Sequence, residues 1–322
     1  MSFKYYVLTS GSLNALARQF ETLKSNETVV VINTLNKGYS DEAAGFCASN
    51  DIEYHITESD GTPATGKNSV LKLFLESDNE YMVHVDGDDL ITPYGRNLYR
   101  TTAYQETPPD VVCLYNQLCV QNYQEGFLDL FRKQVDSQTV VRKHMFIPPS
   151  YRPGFSHAID AQGVRKYKSR VTEDGVNSLV RYCEGTLSKE DARRWLENKV
   201  YLHDFAIRHG DRRNTLNRLV FFSRKAATMM NYNPNLVVGE DIVQFHLLKK
   251  LAHEGKLDMQ IRNESPKYSY IYISNEYSVT RKEMPDWEWM EPLIKELNKM
   301  EPELPDFTLN EFKDPYYEVE QK

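Results

Sequence analysis

The stretch Tyr81-Met-Val-His-Val85, followed at once by Asp86-Gly-Asp-Asp89, joins a short apolar run to three carboxylates within four positions. So short a run predicts a buried strand rather than a surface helix. Ligands of open α/β sheets bind beyond the carboxyl ends of the strands, so these acidic residues are expected to face a crevice. Clustered carboxylates repel one another unless a cation lies among them, and hard ions such as Mg²⁺ or Mn²⁺ prefer oxygen ligands. The alternative is a solvated acidic turn, in which Asp-Gly pairs are common.

The composition is that of a globular protein. The chain has 322 residues, of which 40% are hydrophobic and 26% are charged, enough for two domains or one large α/β domain. No apolar run approaches the roughly 18 to 20 residues that cross a bilayer, and the amino terminus lacks the features of a signal peptide. We therefore expect a cytoplasmic protein without membrane contact, in the host cytoplasm if the source is viral. The four cysteines lack metal-site spacing and are expected to be ordinary thiols.

Charge is distributed unevenly along the chain. Residues 131–226 contain 20 Lys and Arg against 10 Asp and Glu, a balance of +10, although the whole chain carries −7. Basic patches attract polyanions, but a charge run can also be only a solvated face. Residues 283–322 have 12 acidic residues against 4 Lys and five prolines. This acidic tail is expected either to pack against the basic middle of the chain or to contact a partner subunit.

Apolar runs and helical patterns alternate through the first third of the chain. Runs 5–8, 28–32, 53–56 and 81–85 predict strands, with helices expected over 12–24, 40–50 and 67–76 between them. This alternation indicates a mainly parallel α/β sheet flanked by helices. Later segments predict strands at 110–115, 219–222 and 268–273, and helices at 188–197 and 242–254.

Several motifs occur in an order and spacing that resemble glycosyltransferase family two, whose members have the GT-A (Rossmann-like) fold. The relevant stretches are Thr65-Gly-Lys-Asn-Ser69, Val85-Asp-Gly-Asp-Asp89 and Gly239-Glu-Asp241, the last opening a helix. Tyr268-Ser-Tyr270 with Ser278-Val-Thr280 adds a weaker likeness. The resemblance covers roughly residues 4–116 and 214–282. Two features depart from the family pattern: Lys67 stands where Arg is usual, and Asn33 replaces an acidic residue after the second strand.

The resemblance implies a metal-dependent, inverting hexosyl- or pentosyltransferase that uses a nucleotide-diphosphate sugar, with a UDP-sugar favoured. A Mn²⁺ or Mg²⁺ ion held by Asp88 and Asp89 would stabilise the leaving group. Asp241 is the expected general base and Glu240 the alternative, although acidic residues are favoured in any first helical turn. The residues expected to bind the nucleotide sugar are Thr9, Asn33, Lys67 and Asp86. Lys67 can also be read as a surface lysine beside a loop, and His84 as a buried sheet histidine.

Three hypotheses account for the basic middle of the chain. In the first, it follows the backbone of double-stranded DNA, as in bacteriophage DNA-modifying glycosyltransferases, and the acceptor is hydroxymethylcytosine. Acceptor contacts are then expected from Arg165, Lys166, Arg212 and Arg213, with aromatic residues such as Trp195 stacking on a flipped base. In the second, the acceptor is a polysaccharide or a lipid-linked glycan. In the third, the protein is a non-catalytic module that binds nucleotide sugar or nucleic acid.

These interpretations divide the chain into four parts. Residues 1–120 are expected to bind the nucleotide sugar, and residues 121–213 to form a basic helical insertion that meets the acceptor. Residues 214–282 complete the acceptor half of the GT-A core, and residues 283–322 form an acidic C-terminal extension.

Overall fold

The structure is a computed structural model. It describes residues 2–114, 116–120, 167–182, 187–198, 200–204, 218–236, 239–262, 269–273 and 317–321. Within these residues the strands are β1 (Phe3–Thr9), β2 (Thr28–Asn33), β3 (Glu53–Thr57), β4 (Tyr81–Asp86), β5 (Leu90–Ile91), β6 (Val111–Leu114), β7 (Asn116–Val120), β8 (Tyr167–Val171), β9 (Val200–Asp204), β10 (Arg218–Ser223), β11 (Met259–Arg262), β12 (Tyr270–Ile273) and β13 (Tyr317–Gln321). The α-helices are α1 (Leu13–Gln19), α2 (Lys37–Ser49), α3 (Pro63–Glu76), α4 (Pro93–Ala103), α5 (Glu173–Tyr182), α6 (Lys189–Glu197), α7 (Arg224–Ala227) and α8 (Glu240–His253).

A seven-stranded sheet forms the centre of the molecule, in the order β11-β6-β10-β4-β1-β2-β3. All neighbouring strands run parallel except β10, which is antiparallel to both β4 and β6. The predicted fold class, a mainly parallel α/β sheet flanked by helices, is therefore confirmed. Because β10 is reversed, its first residue, Arg218, lies at the edge of the sheet where β4 ends in Asp86.

Helices cover both faces of this sheet, as the near-continuous apolar strands require. On one face, α1, α2 and α4 pack through residues such as Leu16, Ala43 and Tyr99. On the other, α3, α7 and α8 contribute Phe74, Ala226 and Phe245 among others. Successive side chains of a strand point to opposite faces, and Met82 of β4 belongs to the second core. His84 and Asp86 therefore face the side of the sheet on which α3 and α8 lie.

Polar caps set where the first helices begin. Ser12, Asn36, Thr62 and Thr92 each accept a hydrogen bond from a backbone N–H of the first turn of α1, α2, α3 and α4, in that order. Thr62 is followed by a proline at the first helical position, so α3 begins at Pro63, four residues before the predicted start at Lys67. Helix α1 ends at Gln19 and is shorter than predicted. None of the helices in the described ranges has the length and apolar character to cross a membrane.

A four-stranded sheet, β5-β12-β7-β9, and a two-stranded sheet, β13-β8, complete the described structure. The described parts of the predicted basic helical insertion contain strands β8 and β9 as well as helices α5 and α6, so these parts are of mixed structure and not helical alone. Strand β13 of the acidic tail pairs antiparallel with β8 of the basic middle, placing Glu318 opposite Arg170 and Glu320 opposite Lys168 in register. The described residues of the tail, 317–321, therefore pair with the middle of their own chain, and the predicted packing of the rest of the tail stays a prediction.

Candidate active site

The acidic loop after β4 is held against the sheet by backbone contacts. The backbone N–H of Gly87 donates to the Leu8 carbonyl at 2.6 Å, and a Cβ at position 87 would lie 2.6 Å from that same oxygen. Only glycine fits this approach. Helix α1 also holds the loop in place. Arg18 donates a hydrogen bond to the Asp88 carbonyl at 2.8 Å, and Gln19 donates to the carbonyls of Gly87 (3.1 Å) and Asp89.

Arg218 lies among the acidic residues, and its positive charge offsets the repulsion between their carboxylates. Its Nη2 donates to Oδ2 of Asp86 and to Oδ2 of Asp89, the latter at 2.7 Å. Burial alone would raise the pKa of Asp86, but Arg218 and then Lys67 hold that pKa well below its usual range. His84 is the buried sheet histidine that one interpretation predicts, and its Nε2 lies 3.0 Å from Oδ1 of Asp86. Burial lowers the pKa of His84, so the neutral ring donates to the carboxylate.

Asp89 has a structural role in the site. Its side chain is fully buried, and both of its oxygens accept hydrogen bonds. Oδ1 accepts from the backbone N–H of Ile273 at 2.9 Å, and Oδ2 accepts from the Tyr270 hydroxyl at 2.6 Å as well as from Arg218. Burial, reinforced by Asp88 and Asp86, raises the pKa of Asp89 well above its usual value against the pull of Arg218. Asp89 thus joins the acidic loop to β12 of the second sheet.

The carboxylates of the acidic loop match a divalent-metal site only in part. Asp86 and Asp89 share Arg218, and the described residues contain no group of three His, Cys, Asp or Glu side chains arranged to hold a metal. Asp88, by contrast, is partly exposed at the carboxyl edge of the sheet. Mg²⁺ commonly takes one or two carboxylates together with substrate phosphates and water. Asp88, as a partly exposed carboxylate, fits that form of binding, and the fully buried Asp89 does not.

Lys67 and Glu240 form a buried ion pair between α3 and α8. Nζ of Lys67 lies 2.5 Å from Oε1 of Glu240, and the side chains are 9% and 6% exposed. Burial alone would lower the pKa of Lys67, but Glu240, Asp241 and Asp86 together raise it above its usual value. Burial raises the pKa of Glu240 against the effect of Lys67. Lys67 is buried in the second turn of α3, so it is not the surface lysine of the alternative interpretation.

Asp241 is the acidic residue of the helix start that stays partly exposed. It follows Gly239, whose φ of +85° is in the left-handed region that glycine favours, and its Oδ1 accepts from the Ile242 backbone N–H at 3.0 Å. Its negative charge contributes to raising the pKa of both Lys67 and Arg218. The structure therefore brings Asp241 to the same edge of the sheet as Asp86, although the two are far apart in sequence.

Thr9 and Asn33 lie at the carboxyl ends of β1 and β2, as predicted, and both are buried. The Thr9 hydroxyl hydrogen-bonds to the Tyr39 hydroxyl, and Asn33 Nδ2 donates to Thr57 Oγ1 at 2.9 Å and to the Glu58 carbonyl at 2.7 Å. These polar groups brace the neighbouring strands and loops. Their predicted role in binding a nucleotide stays a prediction.

The expected acceptor residues Arg165, Lys166, Arg212 and Arg213 lie outside the described residues, as do Tyr268, Ser278 and Thr280 of the weaker motif. Trp195 of α6 is fully buried, so the suggestion that it stacks on a flipped base is wrong for this structure. A base can stack only on an aromatic face that solvent can reach.

Arg218 is a site residue that sequence reasoning missed, and Tyr270, which the weaker motif contains, was given no role in the site. The guanidinium carbon of Arg218 lies 4.7 Å from the centre of the Tyr270 ring, and Nη2 also donates to the Tyr270 hydroxyl. The available signal was an arginine directly before the apolar run 219–222. That signal becomes informative only once β10 is known to run antiparallel to β4.

No protein-family model matches the chain, and no curated protein matches it by sequence. Among solved structures, the chain is similar to TarS 1–349 from S. aureus in complex with UDP-GlcNAc, with 14% identity and a TM-score of 0.45 over 94% of this chain and 68% of that one. It is similar to the longer TarS structure with 14% identity and a TM-score of 0.44, spanning 40% of that chain. A mannosyltransferase, PcManGT from Pyrobaculum calidifontis in complex with GDP-Man and Mn²⁺, shows 13% identity and a TM-score of 0.39 over 84% of this chain and 56% of that one. All three are distant similarities of overall fold.

Proposed function

We propose that this protein is an inverting glycosyltransferase that moves a sugar from a nucleotide-diphosphate sugar, with a UDP-sugar favoured, to a hydroxyl group of an acceptor. The observation that supports this function is the meeting of Asp86, Arg218, Lys67 and Asp241 at the carboxyl edge of one mainly parallel sheet. This edge is where open α/β sheets bind nucleotides. Buried cations beside a partly exposed carboxylate supply the charges that displacement of a diphosphate requires.

In the proposed reaction, the acceptor oxygen attacks the anomeric carbon as the bond from that carbon to the diphosphate oxygen breaks. The acceptor hydroxyl proton must pass to a base on the side opposite the leaving group. Asp241 supports this role because it is the partly exposed acidic residue at the start of α8. Glu240, the alternative base, is buried in its pair with Lys67, which fits a positioning role better.

Asp88 is the residue proposed to hold a Mn²⁺ or Mg²⁺ ion, together with oxygens of the donor. When bound, such an ion acts as a Lewis acid on the diphosphate. Asp89, predicted as a second ligand, is reassigned in this proposal to fixing the acidic loop, because its oxygens accept hydrogen bonds from Ile273, Tyr270 and Arg218. Asp86 is proposed to orient the donor.

The first experiment measures donor binding and sugar transfer in matched variants. Asp241→Asn is expected to abolish transfer while nucleotide binding persists, and Asp88→Ala to abolish transfer and also weaken nucleotide binding in Mn²⁺. Asp41→Asn, on the exposed surface of α2, is the control and should behave as the wild type. Normal turnover of Asp241→Asn would disprove the base assignment. Absence of nucleotide binding in the wild type, across UDP, GDP and their sugars, would contradict the function itself.

The proposed acceptor is hydroxymethylcytosine in DNA, and the supporting observation is the +10 balance of residues 131–226. Phosphate contacts made by Lys and Arg release counterions, so retention of duplex DNA should weaken steeply as salt rises. The assay incubates the protein with hydroxymethylated DNA and a panel of nucleotide sugars, and detects transfer by mass spectrometry. Transfer to a polysaccharide or lipid-linked glycan, with no retention of DNA even at low salt, would reject the DNA acceptor and leave glycosyl transfer standing.

A further inference from the structure

We infer that Arg218 is the protein's own cation for the diphosphate of the donor, held ready by Asp86, Asp89 and Tyr270. The inference rests on the proposed function and goes beyond it, because neither the family resemblance nor the sequence motifs assign a role to this arginine. It places in the donor site a residue that would contact the leaving group directly.

The hydrogen bonds of Arg218 are distributed unevenly over its guanidinium group. The three hydrogen bonds that Arg218 makes to described residues all come from one nitrogen, Nη2, which contacts Asp86, Asp89 and the Tyr270 hydroxyl. In the part of the chain that the structure describes, no hydrogen bond is made by Nε or Nη1 of Arg218. An arginine carries five N–H donors. Three of them, on a side chain that is only 12% exposed, therefore have no acceptor among the described residues.

The position of the guanidinium is fixed. Asp86 and Asp89 hold it from one side, and the Tyr270 ring stacks against it at 4.7 Å from the guanidinium carbon. Asp89 is itself anchored to the Ile273 backbone at 2.9 Å. A planar guanidinium with two nitrogens to spare matches the paired oxygens of phosphate groups, and its prior fixation reduces the entropy lost on binding.

Arg218 and Lys67, two buried cations of the site, differ in the donors they have left for a ligand. Lys67 is already paired with Glu240 at 2.5 Å, deep between α3 and α8. Arg218 lies at the end of β10 that adjoins Asp86, at the edge where Asp88 is partly exposed. Of these two side chains, Arg218 is therefore the one with donors to offer an incoming anion.

The test compares nucleoside diphosphates with monophosphates in the absence of divalent ions. Binding of UDP against UMP, and of GDP against GMP, is measured by calorimetry with EDTA for the wild type, Arg218→Met and Arg218→Lys. Arg218→Lys keeps the positive charge between Asp86 and Asp89, so it should fold even if Arg218→Met does not. Arg100→Met is the control, since this arginine lies on α4 with a 56% exposed side chain.

The wild type and Arg100→Met are expected to prefer the diphosphate by about tenfold or more, the effect of one charge-assisted contact. Arg218→Met should lose this preference, and Arg218→Lys should retain only part of it because the planar fork is gone. A wild type without diphosphate preference in EDTA, or a folded Arg218→Lys with the full wild-type preference, would overturn the inference. In either case, donor binding that depends on Mg²⁺ would leave the proposed function intact, whereas no nucleotide binding under any condition would reject that function.

Discussion

Replacing Lys67 by methionine is expected to destabilise the protein by about 3–5 kcal/mol at neutral pH, since it leaves a buried carboxylate without its partner. The side chains of Lys67 and Glu240 are 9% and 6% exposed, so water compensates little for the lost contact. Lys67 is the cation that lowers the pKa of Glu240 against the effect of burial. Without it, Glu240 must either stay charged in an apolar setting or take up a proton.

The structure also predicts that removing one partner of the pair costs more stability than removing the other. Lys67 is stabilised by Asp241 and Asp86 as well as by Glu240, so Glu240→Gln should cost less than Lys67→Met. Protonation limits the cost of Lys67→Met, because loss of the lysine raises the pKa of Glu240 further and a protonated Glu240 carries no buried charge. Because the folded-state pKa is raised above the unfolded value of about 4.3, the penalty is absent below that pH. It grows as pH rises and levels off above the folded-state pKa.

Urea unfolding, followed by circular dichroism at pH 5 and pH 8, measures these differences. The control is Lys72→Met on the same helix, where a 74% exposed side chain lies 4.0 Å from Glu76 and should contribute less than about 0.5 kcal/mol. Lys67→Met combined with Glu240→Met should recover most of the stability, because two apolar side chains can replace a buried pair. A loss below about 1 kcal/mol at pH 8, or an equal loss at both pH values, would refute this account of the pair.

Three further predictions concern the parts that support the site. Gly87→Ala should weaken donor binding and cost about 1–3 kcal/mol of stability, because the new Cβ would meet the Leu8 carbonyl at 2.6 Å. Gly66→Ala, whose Cβ would meet side-chain atoms only, the Leu8 methyls at 3.0 Å and Oδ1 of Asn33 at 3.2 Å, should cost less in the same calorimetric and unfolding assays. Arg224→Met should lower stability by about 2–4 kcal/mol in urea unfolding, because the guanidinium donates to the Leu75 carbonyl at 2.7 Å and the Asn79 carbonyl at 3.0 Å; a loss under about 1 kcal/mol would contradict that role. Asp110→Asn should destabilise at pH 7 but not at pH 2. Burial opposes the charge of Asp110, yet hydrogen bonds from Asp258, Ser223 and Lys225 lower its pKa, so its contribution is present above about pH 4 and lost as pH falls through the folded-state pKa. An Asp110→Asn deficit that does not change between pH 7 and pH 2 would disprove this.

Local patterns were sufficient to predict the first half of the sheet. The alternation of apolar runs and helical segments is local information, and β1 to β4 form where it indicates. Helix α4 was missed, although Thr92 caps it and Pro93 occupies its first turn. Its buried residues are few and include Gly95, where a Cβ would lie 2.1 Å from the Ser269 carbonyl. Such a helix has few apolar residues to indicate it in the sequence, because close backbone contact replaces part of the side-chain packing.

The site was predictable only where its residues follow one another in the chain. The sequence places Asp86 and Asp88 at the end of a strand, and both are there. It could not show that Lys67 pairs with Glu240, a contact between residues 173 positions apart. Nor could it show the reversed direction of β10, which alone brings Arg218 to the acidic loop. These contacts depend on how strands are ordered and directed, which a local pattern does not encode.

The three carboxylates of the acidic loop illustrate how burial divides neighbouring residues of the same chemistry. Asp89 is fully buried, so its oxygens must be hydrogen-bonded, and Ile273, Tyr270 and Arg218 fulfil that requirement. Asp86 shares the same guanidinium and accepts from His84, which keeps its charge in place. Both carboxylates are therefore engaged in holding Arg218, and the loop presents the partly exposed Asp88 at its edge. A second metal ligand from this loop would have to give up its contact with Arg218, so a metal ion that takes two of these carboxylates and an Arg218 held in place for the diphosphate are expected to oppose each other.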